Sequence, residues 1–399
     1  MALLLKGTSL SNLRVLIAGG GTGGHIIPAL AVARELVARH GAEVLFVGTP
    51  RGMENRLVPA AGFRLDLIRI GQLKNVSLMT RLRTLSDLPR SIAACRQLIR
   101  DFQPSVVFGV GGYASGPAMA AALWMRVPAM AFEPNAMPGL ANRLVGKRVQ
   151  AAAVNFPAAA KWFRNSEVTG IPVRPEFFAL EEPKGTVPHL LVFGGSQGAR
   201  IFNTHLPLII APLLDAVPGL TVLHQSGARS AEQTQAAFAA TGADPSRWRV
   251  EAFLDDMPAR FAESHLVMAR SGASSVAELA AAGKPSLLVP FAAAADEHQK
   301  RNAEAMVQAG ASVMLEEPEL DEPGLDEPRQ GEPRQDHPGK LLNTLTALLK
   351  DPELLARMGT AARTQAHPDA AERIADRLAA FAAKPEQAES ANPPTGLPG

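Results

Sequence analysis

The apolar positions of this chain fall in short, dense runs that alternate with longer stretches of helical spacing. Leu13 to Val37 reads LRVLIAGGGTGGHIIPALAVARELV, a β-rich apolar run, a glycine loop, then apolar residues three and four apart. His189 to Leu214, HLLVFGGSQGARIFNTHLPLIIAPLL, has the same order. Strand, glycine loop and helix open a parallel α/β unit, and meeting the unit twice predicts two doubly wound domains. Further apolar runs fit interior parallel strands: Glu43 to Val47, Ser105 to Val110, Ala129 to Phe132, Thr221 to His224, Leu266 to Ala269 and Ser286 to Val289. Stretches rich in Ala, Leu and Arg lie between them. The Pro-containing stretch from Asn155 to Phe178 reads as the linker between the halves.

Two segments break the pattern. From Glu317 the pair Glu-Pro recurs at Glu322, Glu327 and Glu332 and ends as His337-Pro338, one proline every five residues. Such a repeat cannot bury apolar surface and is expected as an extended, exposed insertion without a catalytic role. The tail after Lys384 is poor in core formers and is expected to fray. The 399 residues suit two domains. No apolar run reaches the ~18–20 residues that span a bilayer. The opening MALLLKGTSLSN lacks the layout of a secretory signal, and the single Cys95 excludes both a disulfide framework and a cysteine metal cluster, so the cytoplasm is expected.

The net charge of +2 conceals an asymmetry. Residues 1–150 hold 18 Lys/Arg and 7 Asp/Glu, a net of +11, which leaves −9 for the rest. A basic half can face nucleic acid, anionic lipid or an anionic small molecule.

Chemistry concentrates in the loops. The loop from Gly19 to His25, GGGTGGH, allows close approach of a ligand, and the helix after it aims free N–H groups at an anion. A dinucleotide reading expects an acid at the end of the second strand, but that strand ends Gly48-Thr49-Pro50-Arg51. His25 stands where a helix dipole lowers its pKa, which suits a general base; capping a neighbouring backbone group is the other reading. A second loop, GVGGYASGP from Gly109 to Pro117, also lies between strand and helix, so two N–H cradles would share one sheet edge and suit a diphosphate. A third, Gly194 to Arg200, opens the second half. Facing it, RSGASSVAE from Arg270 leads into a helix where Glu278 can accept from both ribose hydroxyls or simply sit as an exposed acid near a helix start.

Taken together, GGGTGGH, GVGGYASGP, FEPN, GIPVRPEF, FGGSQGAR, HQSG, FLDDM, RSGASSVAELAAAGKPSLLVPF and DEHQKRNA stand in the order found in the MurG family, which this sequence resembles from about Leu13 to Leu315 and again in its C-terminal helices. The resemblance implies the GT-B fold, two Rossmann-like doubly wound parallel-sheet domains facing across a cleft. The corresponding segments are residues 12–170, 171–370 with the acidic insertion 316–338, and a C-terminal helix and tail, 371–399. It implies inverting transfer of N-acetylglucosamine from UDP-N-acetylglucosamine (UDP-GlcNAc) to the C4 hydroxyl of the muramoyl sugar of lipid I, giving lipid II.

By position in these motifs, Thr22, Gly23 and Gly24 would border the donor sugar and diphosphate, and His25 becomes the leading candidate for the base or for positioning the acceptor. The family's His-Glu-Gln-Asn reads Phe132-Glu133-Pro134-Asn135 here, leaving Asn135 for the donor sugar and Glu133, with Tyr113, on the acceptor side. Arg174 and Ser196 match donor-binding positions, and Leu254 one whose backbone meets the uracil. Ala273, Ser274, Ser275, Val276, Ala277 and Glu278 match the ribose and phosphate turn, and Gln299 a reader of sugar hydroxyls. No Asp-x-Asp motif lies near the loops, so neither metal nor cofactor is expected.

The basic half then gains a partner. Residues 69–100 hold seven Lys/Arg and one acid, interleaved with Leu73, Leu78, Met79, Leu82, Leu85 and Leu88, and Trp124-Met125-Arg126 follows. Such a stripe suits anionic lipid on the cytoplasmic face of the membrane, and it equally suits an ordinary core. Nucleic acid is not expected, because aromatics are scarce among the basic residues. The rival readings are another UDP-GlcNAc enzyme of the same fold, such as an epimerase or glycolipid synthase, and a non-catalytic nucleotide-sugar sensor.

Overall fold

The computed structural model describes residues 13–382 except 22, 51, 71–77, 182–186, 196, 295–296 and 321–338; in the helix Leu78–Phe102, side chains are described from Asp87 onward. Thr22, Ser196, Leu73, most of the Glu-Pro insertion and the tail therefore lie outside the described residues, as do the side chains of Leu78, Met79, Leu82 and Leu85.

Two parallel sheets form. The first contains β1 (Arg14–Gly19), β2 (Glu43–Gly48), β3 (Arg64–Leu67), β4 (Val106–Gly111), β5 (Ala129–Glu133), β6 (Ala151–Val154) and β7 (Ser166–Val168), in the order β3-β2-β1-β4-β5-β6-β7. The second contains β8 (His189–Phe193), β9 (Thr221–Gln225), β10 (Trp248–Glu251), β11 (Leu266–Ala269), β12 (Ser286–Leu288) and β13 (Ser312–Met314), in the order β10-β9-β8-β11-β12-β13. In each sheet the chain order reverses beside the first strand, between β1 and β4 and between β8 and β11. Loops at that switch point leave a crevice at the carboxyl ends, where open α/β sheets bind ligands.

The continuous apolar runs have a simple cause: both faces of each sheet are covered. In β1, Val15 and Ile17 pack on one side with the helix Gly23–His40, while Leu16 and Ala18 pack on the other with the helix Ser115–Met125. In β8, Leu190 and Val192 face one cluster, Leu191 and Phe193 the other. Each Leu, Val or Phe so buried contributes roughly 1.5–3 kcal/mol.

The stretch read as a linker is only partly one. Its Ser166–Val168 forms β7, paired in parallel with β6 at Val154↔Val168. The last described helix, Ala370–Ala382, returns to the first sheet. There Ile374, Ala375, Leu378 and Ala379 join the core beneath β1, and Asp376 pairs with Arg39 at 3.1 Å and His40 at 2.8 Å. The chain thus crosses between the two halves twice, after β7 and again before this helix. Among the described residues no helix is long and apolar enough to cross a membrane.

Candidate active site

The first glycine loop and the loop after β4 meet backbone to backbone. A Cβ on Gly112 would fall 2.2 Å from the Gly20 carbonyl oxygen, so a side chain there would force the loops apart. His25, three residues into its helix, lays its ring over Gly111, where a Cβ would come within 2.8 Å of the imidazole Cε1. Its Nδ1 is buried with no hydrogen-bond partner. Burial is the main reason its pKa is lowered, with His298 adding to the effect; the Val110 backbone and the charge of Glu54 oppose it. The expected direction is found, but desolvation rather than a helix dipole heads its causes. Gly23 and Gly24 form the helix start beside it, and Tyr113, 39% exposed, rims the crevice.

Glu133, at the end of β5, has its carboxylate engaged inside its own loop. Oε1 accepts the backbone and side-chain N–H of Asn135 at 3.0 and 3.1 Å; Oε2 accepts Gly139 N–H at 3.1 Å and Asn142 Nδ2 at 2.9 Å. Burial pushes its pKa up against those four donors. Its visible work is to shape the turn that presents Asn135. The Asn135 Oδ1 in turn accepts from Asn302 Nδ2 at 3.3 Å, across the two halves.

Asn302 is fully buried and was not singled out from the sequence. Its Oδ1 accepts the Ala136 N–H at 2.9 Å and its Nδ2 also donates to the Ser271 carbonyl at 3.1 Å, so one carboxamide joins the loop after β5 to the turn after β11. Ser271 Oγ donates to the Gln299 carbonyl at 2.8 Å, and Gln299 Oε1 accepts the Phe291 N–H at 3.0 Å. Gln299 is therefore placed against the same turn.

That turn begins the helix Ala273–Ala282. Ala273 and Ala277 pack against the core of the first half, Val276 is buried, and Ser274 Oγ is buried with no partner. Ser275 is half-buried in the same first turn. Burial raises the Glu278 carboxyl to about 7, with Arg174 opposing the shift. Arg174 is exposed, and its guanidinium lies 5.0 Å from the centre of the Phe177 ring. Leu254 packs against the second core, beside the half-exposed Phe253. Below the turn, Arg270 pairs with Glu317 at 2.5 Å and donates to the Val289 and Pro290 carbonyls at 3.1 and 3.0 Å. Glu317 opens the short 3-10 helix Glu317–Leu320, whose Leu320 is buried, so the described start of the Glu-Pro repeat is packed on the second half and not extended and exposed as expected.

The loop after β8 is locked to the loop after β9: a Cβ on Gly198 would lie 1.9 Å from the Ser226 carbonyl oxygen. Asn203, in the helix that follows, donates to that carbonyl at 3.0 Å and leaves its own buried Oδ1 without a partner. The loops after β1, β4, β5, β8, β9 and β11 therefore gather at the carboxyl edges of the two sheets, offering an imidazole, backbone amides, a protonatable carboxyl and an arginine: the groups needed to deprotonate a hydroxyl and hold a nucleoside diphosphate.

Comparison with known proteins agrees with this arrangement. Residues 15–154 match the glycosyltransferase family 28 N-terminal domain and residues 189–330 the glycosyltransferase family 28 C-terminal domain. The UDP-N-acetylglucosamine–N-acetylmuramyl-(pentapeptide) pyrophosphoryl-undecaprenol N-acetylglucosamine transferase of Solibacter usitatus is 46% identical over 91% of this chain and 94% of its own. The protein of the same name from an Anaeromyxobacter species is 43% identical over 91% and 92%. The crystal structure of Acinetobacter baumannii MurG superposes with a TM-score of 0.72 at 28% identity, covering 92% of this chain and 99% of that one. The chain belongs to the MurG family. A UDP-GlcNAc 2-epimerase from Neisseria meningitidis, at 13% identity and TM-score 0.61, shares the fold.

Sequence reasoning missed Asn302, Arg270 and Glu54. Asn302 and Arg270 stood inside quoted motifs, yet nothing local marks an Asn or Arg as a bridge between loops far apart in the chain. Glu54 had one signal, an acid six residues past the glycine that ends the second strand.

Proposed function

We propose that this protein is the inverting transferase that moves N-acetylglucosamine from UDP-GlcNAc to the C4 hydroxyl of the muramoyl sugar of lipid I, giving lipid II for peptidoglycan. The observation that carries the reading is the packing of the turn from Arg270 to Glu278, through Ala273 and Ala277, against the core of the first half, whose helix Gly23–His40 carries the buried, unpartnered His25 Nδ1. In a single displacement the acceptor oxygen bonds to the anomeric carbon as the bond to the UDP oxygen breaks. His25 takes the hydroxyl proton, and UDP leaves with the bonding pair. Its position supports this role: the lowered pKa keeps the imidazole neutral and able to accept.

The donor lies against the second half. Glu278 accepts from the ribose hydroxyls, Arg174 and the amides of Ala273 to Ala277 hold phosphate, the Leu254 backbone meets uracil, and Gln299 and Asn135 read the sugar. Gly23, Gly24 and Tyr113 line the acceptor side, with Glu133 holding the loop. No metal enters this scheme, because dipoles and arginine carry the leaving-group charge.

The acceptor is lipid-linked, and the protein reaches it by peripheral binding to anionic lipid at the cytoplasmic face of the membrane. In support, Trp124 is 67% and Leu144 63% exposed, Arg96 stacks 4.3 Å from the Trp124 ring, and Arg126, Lys147 and Arg148 are exposed nearby in the chain. A soluble lipid I analogue and UDP-GlcNAc test the reading. Release of UDP with matching disaccharide product is expected; UDP-GlcNAc binding with no product would make the protein a sensor.

A further inference from the structure

Glu54 opens the helix Glu54–Ala60 at the carboxyl end of β2, and it is fully buried. Its Oε2 accepts the Gly21 N–H at 2.7 Å; its Oε1 accepts the Thr49 N–H at 2.9 Å and the Thr49 hydroxyl at 3.0 Å. The surrounding pocket is made of glycine. A Cβ on Gly20, Gly48 or Gly52 would lie 2.4, 2.5 or 1.8 Å from Glu54 side-chain atoms. Burying a carboxylate costs several kcal/mol, and an apolar side chain would fill the space at less cost. What only the carboxylate supplies is three directed acceptor bonds that tie the loop after β1 to the loop after β2.

The first loop needs such a tie. Gly20 and Gly21 stand at φ of 146° and 91°, and although Gly20 packs on the loop after β4, nothing lies within 4 Å of where a Gly21 Cβ would be, so packing does not hold the turn at Gly21 itself. Glycine also loses the most conformational freedom on ordering. Pinning the Gly21 amide fixes the turn whose next helix carries His25.

We propose that Glu54 is a positioning residue of the reaction: it fixes the first glycine loop, and through it the His25 ring, in the place where the acceptor hydroxyl is deprotonated. This rests on the transferase reading above. The carboxylate has a second effect through space. The groups that bear electrostatically on His25 are the Val110 backbone, His298 from the helix His298–Gln308 and Glu54, and of the two side chains only Glu54 favours the imidazolium that forms as the proton arrives.

Glu54→Gln keeps the volume but can accept on one side only and is neutral. We expect kcat at least tenfold lower, KM for UDP-GlcNAc within twofold of wild type, and the acid limb of the kcat–pH profile displaced to lower pH. The rise in melting temperature on adding UDP, a property of the second half, reports that the variant is folded. Thr49→Val removes one donor and leaves the charge, so kcat falls severalfold with the acid limb in place; it carries the test if Glu54→Gln loses its UDP response. A folded Glu54→Gln with wild-type kcat and an unmoved acid limb overturns the proposal, even if its melting temperature falls, and so does an unchanged kcat in Thr49→Val. The His25 ring titration followed by NMR requires no turnover. If it moves between wild type and Glu54→Gln while wild type transfers no sugar, the transferase reading fails and the link from Glu54 to His25 stands.

Discussion

The carboxamide of Asn302 donates to Asn135 Oδ1 across the two halves, at 3.3 Å, while its own oxygen accepts the Ala136 N–H at 2.9 Å. A single buried side chain thereby sets the spacing between the loop after β5 and the donor turn. Asn302→Ala leaves the buried Ala136 N–H unpaired and is expected to cost about 1–3 kcal/mol of stability. A urea titration reads that loss, and a higher KM for UDP-GlcNAc accompanies it.

His25→Ala and His25→Gln are expected to lower kcat by roughly 10²–10⁴, the usual contribution of a positioned general base, with UDP binding retained. Calorimetry of UDP binding beside steady-state turnover separates the two. Turnover near wild type in either variant removes His25 from the base role.

Glu278 ties donor affinity to pH. Its carboxyl is raised to about 7 by burial, and a ribose hydroxyl is held best by the charged form. UDP affinity is therefore expected to rise as pH climbs through 7, and Glu278→Gln to bind more weakly with that dependence gone. Titrations between pH 6 and pH 8, roughly one unit either side of the carboxyl's midpoint, check both.

His224, fully buried on β9 against Phe238 with neither ring nitrogen partnered, is pushed down to about 4 by burial. The unfolded chain takes up this proton below about 6.5, while the folded chain waits until about 4. Stability is thus fully present above 6.5 and lost as pH falls toward 4, by on the order of 3 kcal/mol. Denaturant midpoints of His224→Leu should lack this share of the acid loss; an identical slope in both proteins contradicts the assignment.

At the surface, Trp124→Ala combined with Lys147→Glu and Arg148→Glu is expected to reduce retention on anionic vesicles at low salt at least tenfold, since each basic residue near such a surface is worth ~1 kcal/mol. Co-sedimentation measures it. Equal retention would place the lipid contact elsewhere.

Much of this fold is readable from the chain because its central strands are buried on both faces and so appear as apolar runs. β1, β2, β4, β5, β8, β9, β11 and β12 are of that kind. The strands that escaped notice are toward the edges or poorly marked: β3 and β10 carry charged residues, β7 and β13 have three residues each, and β6 is AAAV, which reads equally well as helix. At the site, the glycine loops and His25 announce themselves by local sequence. Glu54 and Asn302 do not, because their work is to join loops brought together only by the sheet order. The stretch from Asn155 to Phe178 reads as a linker for a related reason: its prolines flank the three-residue β7 and mask it.

The most direct test of the central claim is the anomeric configuration of the product made from UDP-GlcNAc and a lipid I analogue, read from the proton coupling at the new glycosidic carbon. The α-linked donor should give a β-linked disaccharide, with one UDP released per bond formed. An α-linked product would contradict the single displacement, and UDP released without disaccharide would contradict transfer to this acceptor.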